Sequence, residues 1–167
     1  MFDHLMALVQ QNAGDAILNN NAIPNERNNE AVETVTNSIS NTLKNAVQSG
    51  NVNDVMQLFH NGDNNVASSP LTQNMQGNVI ENLMQKFGLS NAQAGGIASS
   101  VIPAVLSKFV HKTNDPNDNS FNLSSILAHL GGSSFDVSSL LNNFGLSGNG
   151  NSESNGIKDA LKNMFGK

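Results

Sequence analysis

Few side chains in this chain have the type and spacing to do chemistry, and each candidate sits in a context that favours a structural use. Asp115 and Asp118 are close enough to act as paired carboxylates for acid–base work or cation binding. They lie within Asn114-Asp115-Pro116-Asn117-Asp118, where short polar side chains and a proline favour a turn and a cap for the next helix. His4, His60, His111 and His129 lack the His-x-x-x-His or His-Glu-x-x-His spacing that puts two imidazoles on one helix face around a metal. Lys108, His111 and Lys112 gather where a helix should end, and cations there meet the negative end of its dipole. The group is too small to bind a phosphate backbone. No Gly-x-Ser-x-Gly elbow or Ser-x-x-Lys pair activates a serine. Gly95-Gly96 follows no strand, so it reads as a place for close helix packing and not as a phosphate loop. No catalytic residue, resident metal or cofactor is expected, and the chain reads as non-enzymatic.

Composition narrows the field further. At 167 residues the chain is long enough to bury a real core. Thirteen acidic against eight basic side chains give a formal charge of -5, with Arg27 the only arginine, which argues against nucleic acid as a partner. Cysteine is absent, excluding disulfides, thiolate metal sites and cysteine nucleophiles. Trp and Tyr are absent too, removing the residues most enriched at binding hot spots and membrane-interface belts. The start, Met1-Phe2-Asp3-His4, has no positive region and its apolar stretch stops at Gln10, so a cytoplasmic location is expected. Asparagine is in surplus, with 29 residues, and its side chain favours caps and turns.

The elements that would position any site are short helices. A pattern of apolar residues at helical spacing closed by glycine occurs at Ile80, Leu83, Met84, Phe87, Gly88, again at Leu123, Ile126, Leu127, Leu130, Gly131, and at Val137, Leu140, Leu141, Phe144, Gly145. Looser copies run from 55 to 62 and from 157 to 166, and these two are the expected detachable helices. Further helices are predicted at 2–11, with Phe2, Leu5, Met6 and Val9 inward, and at 28–49, with Val32, Val35, Ile39, Leu43 and Val47 inward and a solvated Asn, Thr and Ser face outward. Asn53 should cap the helix around 55, and Ser69-Pro70 should open the one ending at Gly88. Ser90 with Gln93 forms a capping box for a helix over about 91–110. That helix is apolar on most sides and should be the centre of an all-α bundle of short amphipathic helices, with Pro103 kinking it. Ala92, Gly96, Ser100 and Ala104 recur every four residues on it and form the expected helix-packing interface. Its Asn, Gln and Ser residues and Pro103 argue against a membrane span.

Ala22-Ile23-Pro24-Asn25-Glu26, Lys86-Phe87-Gly88-Leu89-Ser90 leading into Ala92-Gln93-Ala94-Gly95, Ile102-Pro103, and Lys112-Thr113-Asn114-Asp115-Pro116-Asn117-Asp118 together resemble the YidB-like family of bacterial proteins of unknown function, closest to its longer Bacteroidetes members. The resemblance implies a fold that is homeodomain-like in part, best supported over 70–145, and supplies no catalytic residues. It spans most of residues 1–145, and with the Gly-, Asn- and Ser-rich composition after it the chain is expected to divide into an N-terminal helical region (1–66), a YidB-like helical core (69–146), a flexible linker (147–156) and a short C-terminal helix (157–167). Some relatives carry a calcium-loop-like segment before the last helix. The matching segment here offers Asn151, Glu153 and Asn155 as ligands, but Lys162 stands where a bidentate carboxylate belongs, so the loop is degenerate. The expectation is therefore a non-enzymatic interaction module that works through helix–helix contacts, including contacts with its own copies. The alternatives are a small nucleic-acid-associated regulator and a hydrolase assembled from scattered Ser, His and Asp residues.

Overall fold

The computed structural model describes residues 2–60, 66–115, 117 and 123–132. All regular structure among them is helical, with no strand, as the periodicity predicts. Six α-helices follow one another: α1 (Phe2–Asn12), α2 (Asn28–Gln48), α3 (Val52–His60), α4 (Pro70–Phe87), α5 (Asn91–Asn114) and α6 (Leu123–Gly131). A π-type turn, Gly14–Leu18, and a 3-10 turn, Asn25–Arg27, join α1 to α2. The described residues all fall in one compact unit, Met1–Phe135, in which the segment before residue 66 packs on the one after it. The copies at 137–145 and 157–166, the 147–156 linker and the degenerate calcium loop with Asn151, Glu153 and Asn155 lie outside the described residues.

Local chemistry sets the helix ends. At the start of α5 the Ser90 hydroxyl accepts from the Gln93 N–H while the Gln93 amide oxygen accepts from the Ser90 N–H, so the capping box forms as expected. Before it, Gly88 takes the left-handed conformation (φ 67°), its N–H bonds to the Met84 carbonyl, and Leu89 is buried against the helix end. Ser69 departs from expectation: it holds the extended cap conformation, but its hydroxyl makes no capping bond. The neighbouring Thr72 hydroxyl instead donates to the Val66 carbonyl and ties the approach to α4. Asn53 lies inside the first turn of α3 and does not precede it. Helix α6 runs through Gly131, and Gly132 (φ 70°) is the terminating glycine, its N–H bonded to the Ala128 carbonyl.

Helices α1, α3 and α4 each touch both α2 and α5 and so form the middle of the bundle. Phe59 of α3 meets Phe109 of α5 edge to face, with ring centroids 5.5 Å apart and both side chains fully buried. The Asn114 amide then donates to the Phe59 carbonyl at 2.9 Å. Helix α3 is therefore docked and not detachable, with Val52, Val55, Met56 and Leu58 also buried. Helix α1 buries Leu5, Leu8 and Val9 and leaves Phe2 and Met6 half-buried. Helix α6 packs Ile126, Leu127 and Leu130 inward and lies on α2.

The polar face of α2 overturns its expected role as a solvated surface. Thr34, Thr36, Ser38 and Thr42 are buried, and each hydroxyl donates to the carbonyl four residues back, which satisfies it inside the helix. Two of these oxygens then accept from α4: Asn78 Nδ2 reaches Thr42 Oγ1 and Asn82 Nδ2 reaches Ser38 Oγ, both at 2.9 Å. Because 42 pairs with 78 and 38 with 82, the helices are antiparallel and locked in one register. Turning this way, α4 buries Leu71, Met75, Val79 and Leu83, while Ile80 is half-exposed and Met84 is 37% exposed. Of the predicted inward stripe, Leu83 is fully buried, Ile80 and Phe87 are half-buried and Met84 is exposed, so the stripe lies at the border of the core.

Truncating Phe109 to alanine should remove the edge-to-face contact and leave a cavity, lowering stability by about 3–5 kcal/mol. Urea unfolding followed by circular dichroism measures this, and the same experiment on Gly88→Ala should show a loss of about 1 kcal/mol from forcing a Cβ into the left-handed region.

Candidate functional site

Helix α5 is two-sided. Ala94, Ile97, Ala98, Val101, Ile102, Val105, Leu106, Phe109 and Val110 are buried, and the helix continues through Pro103 without a break. On the other side Ala92, Gly96 and Ser100 are exposed and Ala104 is half-exposed, so this side of the helix faces water and is not enclosed by the core. Three of the four residues of the expected packing stripe, Ala92, Gly96 and Ser100, thus face outward in the described chain. A Cβ built on Gly95 or Gly96 would find nothing within 4 Å, so these glycines are not explained by close packing there. Each mid-helix glycine costs roughly 0.5–1 kcal/mol relative to alanine, a cost without return among the described residues.

Beside the stripe lies the misplaced apolar face of α4. Gly77, Ile80, Glu81, Met84, Gln85 and Asn91 line a shallow, mostly apolar depression. Asn91 joins the two features, opening α5 one residue before Ala92 and placing its Nδ2 3.9 Å from Met84 Sδ. From Asn91 to Ser107 α5 carries no charged residue. By length and composition α5 is also apolar enough to cross a membrane, with 50% of its most apolar window buried within the fold. A half-buried apolar helix is what a soluble core requires as well.

One ion pair among the described residues fastens two elements together. Arg27 forms a two-point pair with Glu30 (Nε to Oε2 2.9 Å, Nη2 to Oε1 3.1 Å). Its Nη2 also donates to the Lys86 carbonyl at 3.0 Å, and the guanidinium lies 4.3 Å from the centre of the Phe87 ring. The only arginine thus fastens the entrance of α2 to the exit of α4. Its hydrogen bond to Glu30 raises the Arg27 pKa, and the same bond holds the Glu30 carboxyl below the usual glutamate range. Asp115 accepts from the Asn117 N–H at 2.9 Å, forming the turn its context predicts, while Asp118 lies outside the described residues. Lys108 is exposed, and His111 and Lys112 occupy the last turn of α5. His4, His60, His111 and His129 are exposed on separate helices, α1, α3, α5 and α6. Among the described residues no group of three or more His, Asp or Glu side chains is arranged to hold a metal ion.

Sequence reasoning missed the Ile80–Met84 patch and the Arg27 clamp. The first had a signal, the four-residue spacing of Leu71, Met75, Val79 and Leu83, which competes with the stripe through Ile80. The second had only its local half, Arg27 and Glu30 one helical turn apart. The searches of family models, curated proteins and solved structures found no match to this chain.

Because Glu30 is more acidic in the folded chain, its pairing stabilises above the usual glutamate pKa and is lost as pH falls through the folded value. The stability gap between the native chain and Glu30→Gln should therefore be present at neutral pH and close below about pH 4. Thermal melts across that range, at low and high salt, read it directly, and added salt should narrow the gap.

Proposed function

We propose that the chain is a non-enzymatic interaction module, and that the uncharged face of α5 joins it to a second copy of itself. The observation that carries this is the stripe of exposed Ala92, Gly96 and Ser100 with the half-exposed Ala104, bordered by the exposed Met84. Small side chains let two helix backbones approach closely, and the stretch from Asn91 to Ser107, which carries no charge, adds no like-charge repulsion when it meets its own copy. Two antiparallel copies of α5 would also oppose their dipoles favourably. The YidB-like resemblance is part of the proposal and is compatible with a role that needs no catalytic group. Engagement of Arg27 within its own fold lends the nucleic-acid reading no support.

Sedimentation equilibrium or light scattering over a concentration series tests self-pairing. A dimer or larger species is expected to grow in at roughly 10–100 μM, the range of a modest helix–helix contact. A Gly96→Glu, Ser100→Glu double variant should stay monomeric throughout yet keep its helical spectrum, since both positions are exposed and Gly96 has open space around it. A native chain that is strictly monomeric at the highest concentrations overturns the proposal.

A further inference from the structure

A second concavity lies on another part of the surface and is chemically unlike the first. It has a volume of about 270 Å³ and opens where the last turns of α2, the turn into α3 and the first half of α4 converge. Its polar wall is made by Asn45, Ser49, Asn51, Asp54, Asn74 and Asn78, with the buried Thr42 and Leu71 behind them. Asn78 gives its N–H to Thr42 and so is held in place by the α2–α4 register. The side chains of Asn45, Ser49, Asn51, Asp54 and Asn74 make no hydrogen bond to another described residue, so their donors and acceptors are available to a ligand. Gly50, in the left-handed conformation (φ 83°), turns the chain sharply between Ser49 and Asn51 and brings both to the same rim.

The chemistry of this wall selects its ligand. Asparagine amides and a serine hydroxyl both donate and accept, and a carboxylate accepts from two neighbouring hydroxyls at once. No lysine or arginine lines the concavity, so a phosphate or carboxylate would meet Asp54 without a compensating charge. A calcium ion would find a single carboxylate where several oxygen ligands with more negative charge are needed. An apolar ligand would strip water from the amides and return nothing. A neutral molecule bearing adjacent hydroxyls matches the mixed donors and acceptors of this wall, and the volume, just below the usual range of ligand pockets, suits one sugar ring and not a chain of them. We infer that this corner of the bundle is a binding site for a small neutral polyol of monosaccharide size, independent of the α5 face. With no aromatic ring in the wall to stack on a sugar, a dissociation constant on the order of 1 mM is expected.

Backbone amide NMR of the full chain, titrated separately with glucose, galactose, mannose, N-acetylglucosamine and myo-inositol, tests this, with inorganic phosphate as the anionic control. At least one polyol should give saturable shifts centred on Asn45, Asn51, Asp54 and Asn74, and phosphate should give none there. An Asn45→Ala, Asn74→Ala double variant should weaken binding by roughly tenfold or more while its urea midpoint stays put, because both side chains are exposed and without internal partners. Absence of saturable shifts from every polyol up to about 100 mM would overturn the inference. So would phosphate shifts at the same residues, or undiminished binding by the double variant.

Discussion

The architecture depends on covering one side of α5. Ile97, Val101, Val105 and Phe109 form an apolar ridge along that side, and α1, α3, α4 and the Gly14–Leu18 turn are held where they shield it from water. Fully burying side chains of this size gains roughly 1.5–3 kcal/mol each, far more than any surface pairing in the chain. Helix α2 makes its main contacts with α1, α3, α4 and α6, and so closes the bundle from the other side. The Phe59–Phe109 contact matters because it anchors the short α3 to this ridge, and the Asn114 amide secures the same junction from the end of α5.

Burial alone would let α2 slide along α4, since both present aliphatic side chains at helical spacing. The pairs Thr42–Asn78 and Ser38–Asn82 remove that freedom. Each hydroxyl is already satisfied by its own helix, so the added amide contact leaves no buried hydroxyl without a partner and singles out one register. Several of the abundant asparagines serve this kind of purpose beyond capping. Asn12 and Asn20 bond the carbonyls of Leu8 and Ala16 four residues back, and Asn114 and Asn28 reach carbonyls in other elements.

Fixing the register in this way leaves two surfaces without internal use. Turning Leu71, Met75, Val79 and Leu83 inward rotates Ile80 and Met84 to the outside, next to the small residues of α5. The same packing gathers the amides of Asn45, Asn51 and Asn74 and the Ser49 hydroxyl at the α2–α3–α4 corner. One surface is mostly apolar with Glu81 in its lining, and the other is polar with Asp54 as its carboxylate, so they suit different kinds of partner.

The sequence by itself determined that the chain is helical, and to within a few residues where most helices begin and end, because caps act locally. Ser90 with Gln93 and Gly88 before Leu89 satisfy backbone groups using residues only a few positions away. Local signals alone placed the Ser69 hydroxyl and Asn53 wrongly: the Ser69 hydroxyl makes no capping bond, and the chain turns into α3 at Asn51, whose carbonyl accepts from the Asp54 N–H. Only the tertiary structure decided which side of each helix is buried. Helix α4 has two overlapping apolar stripes, and the amide–hydroxyl pairs with α2 select one; α2 has a hydroxyl face that reads as solvated until α4 covers it. The α5 stripe illustrates the same limit: its spacing was legible, but whether it faces a neighbour or water depends on contacts from residues far away in the chain. A pattern of side chains specifies which faces a helix can bury, and the surrounding helices determine which face is left over.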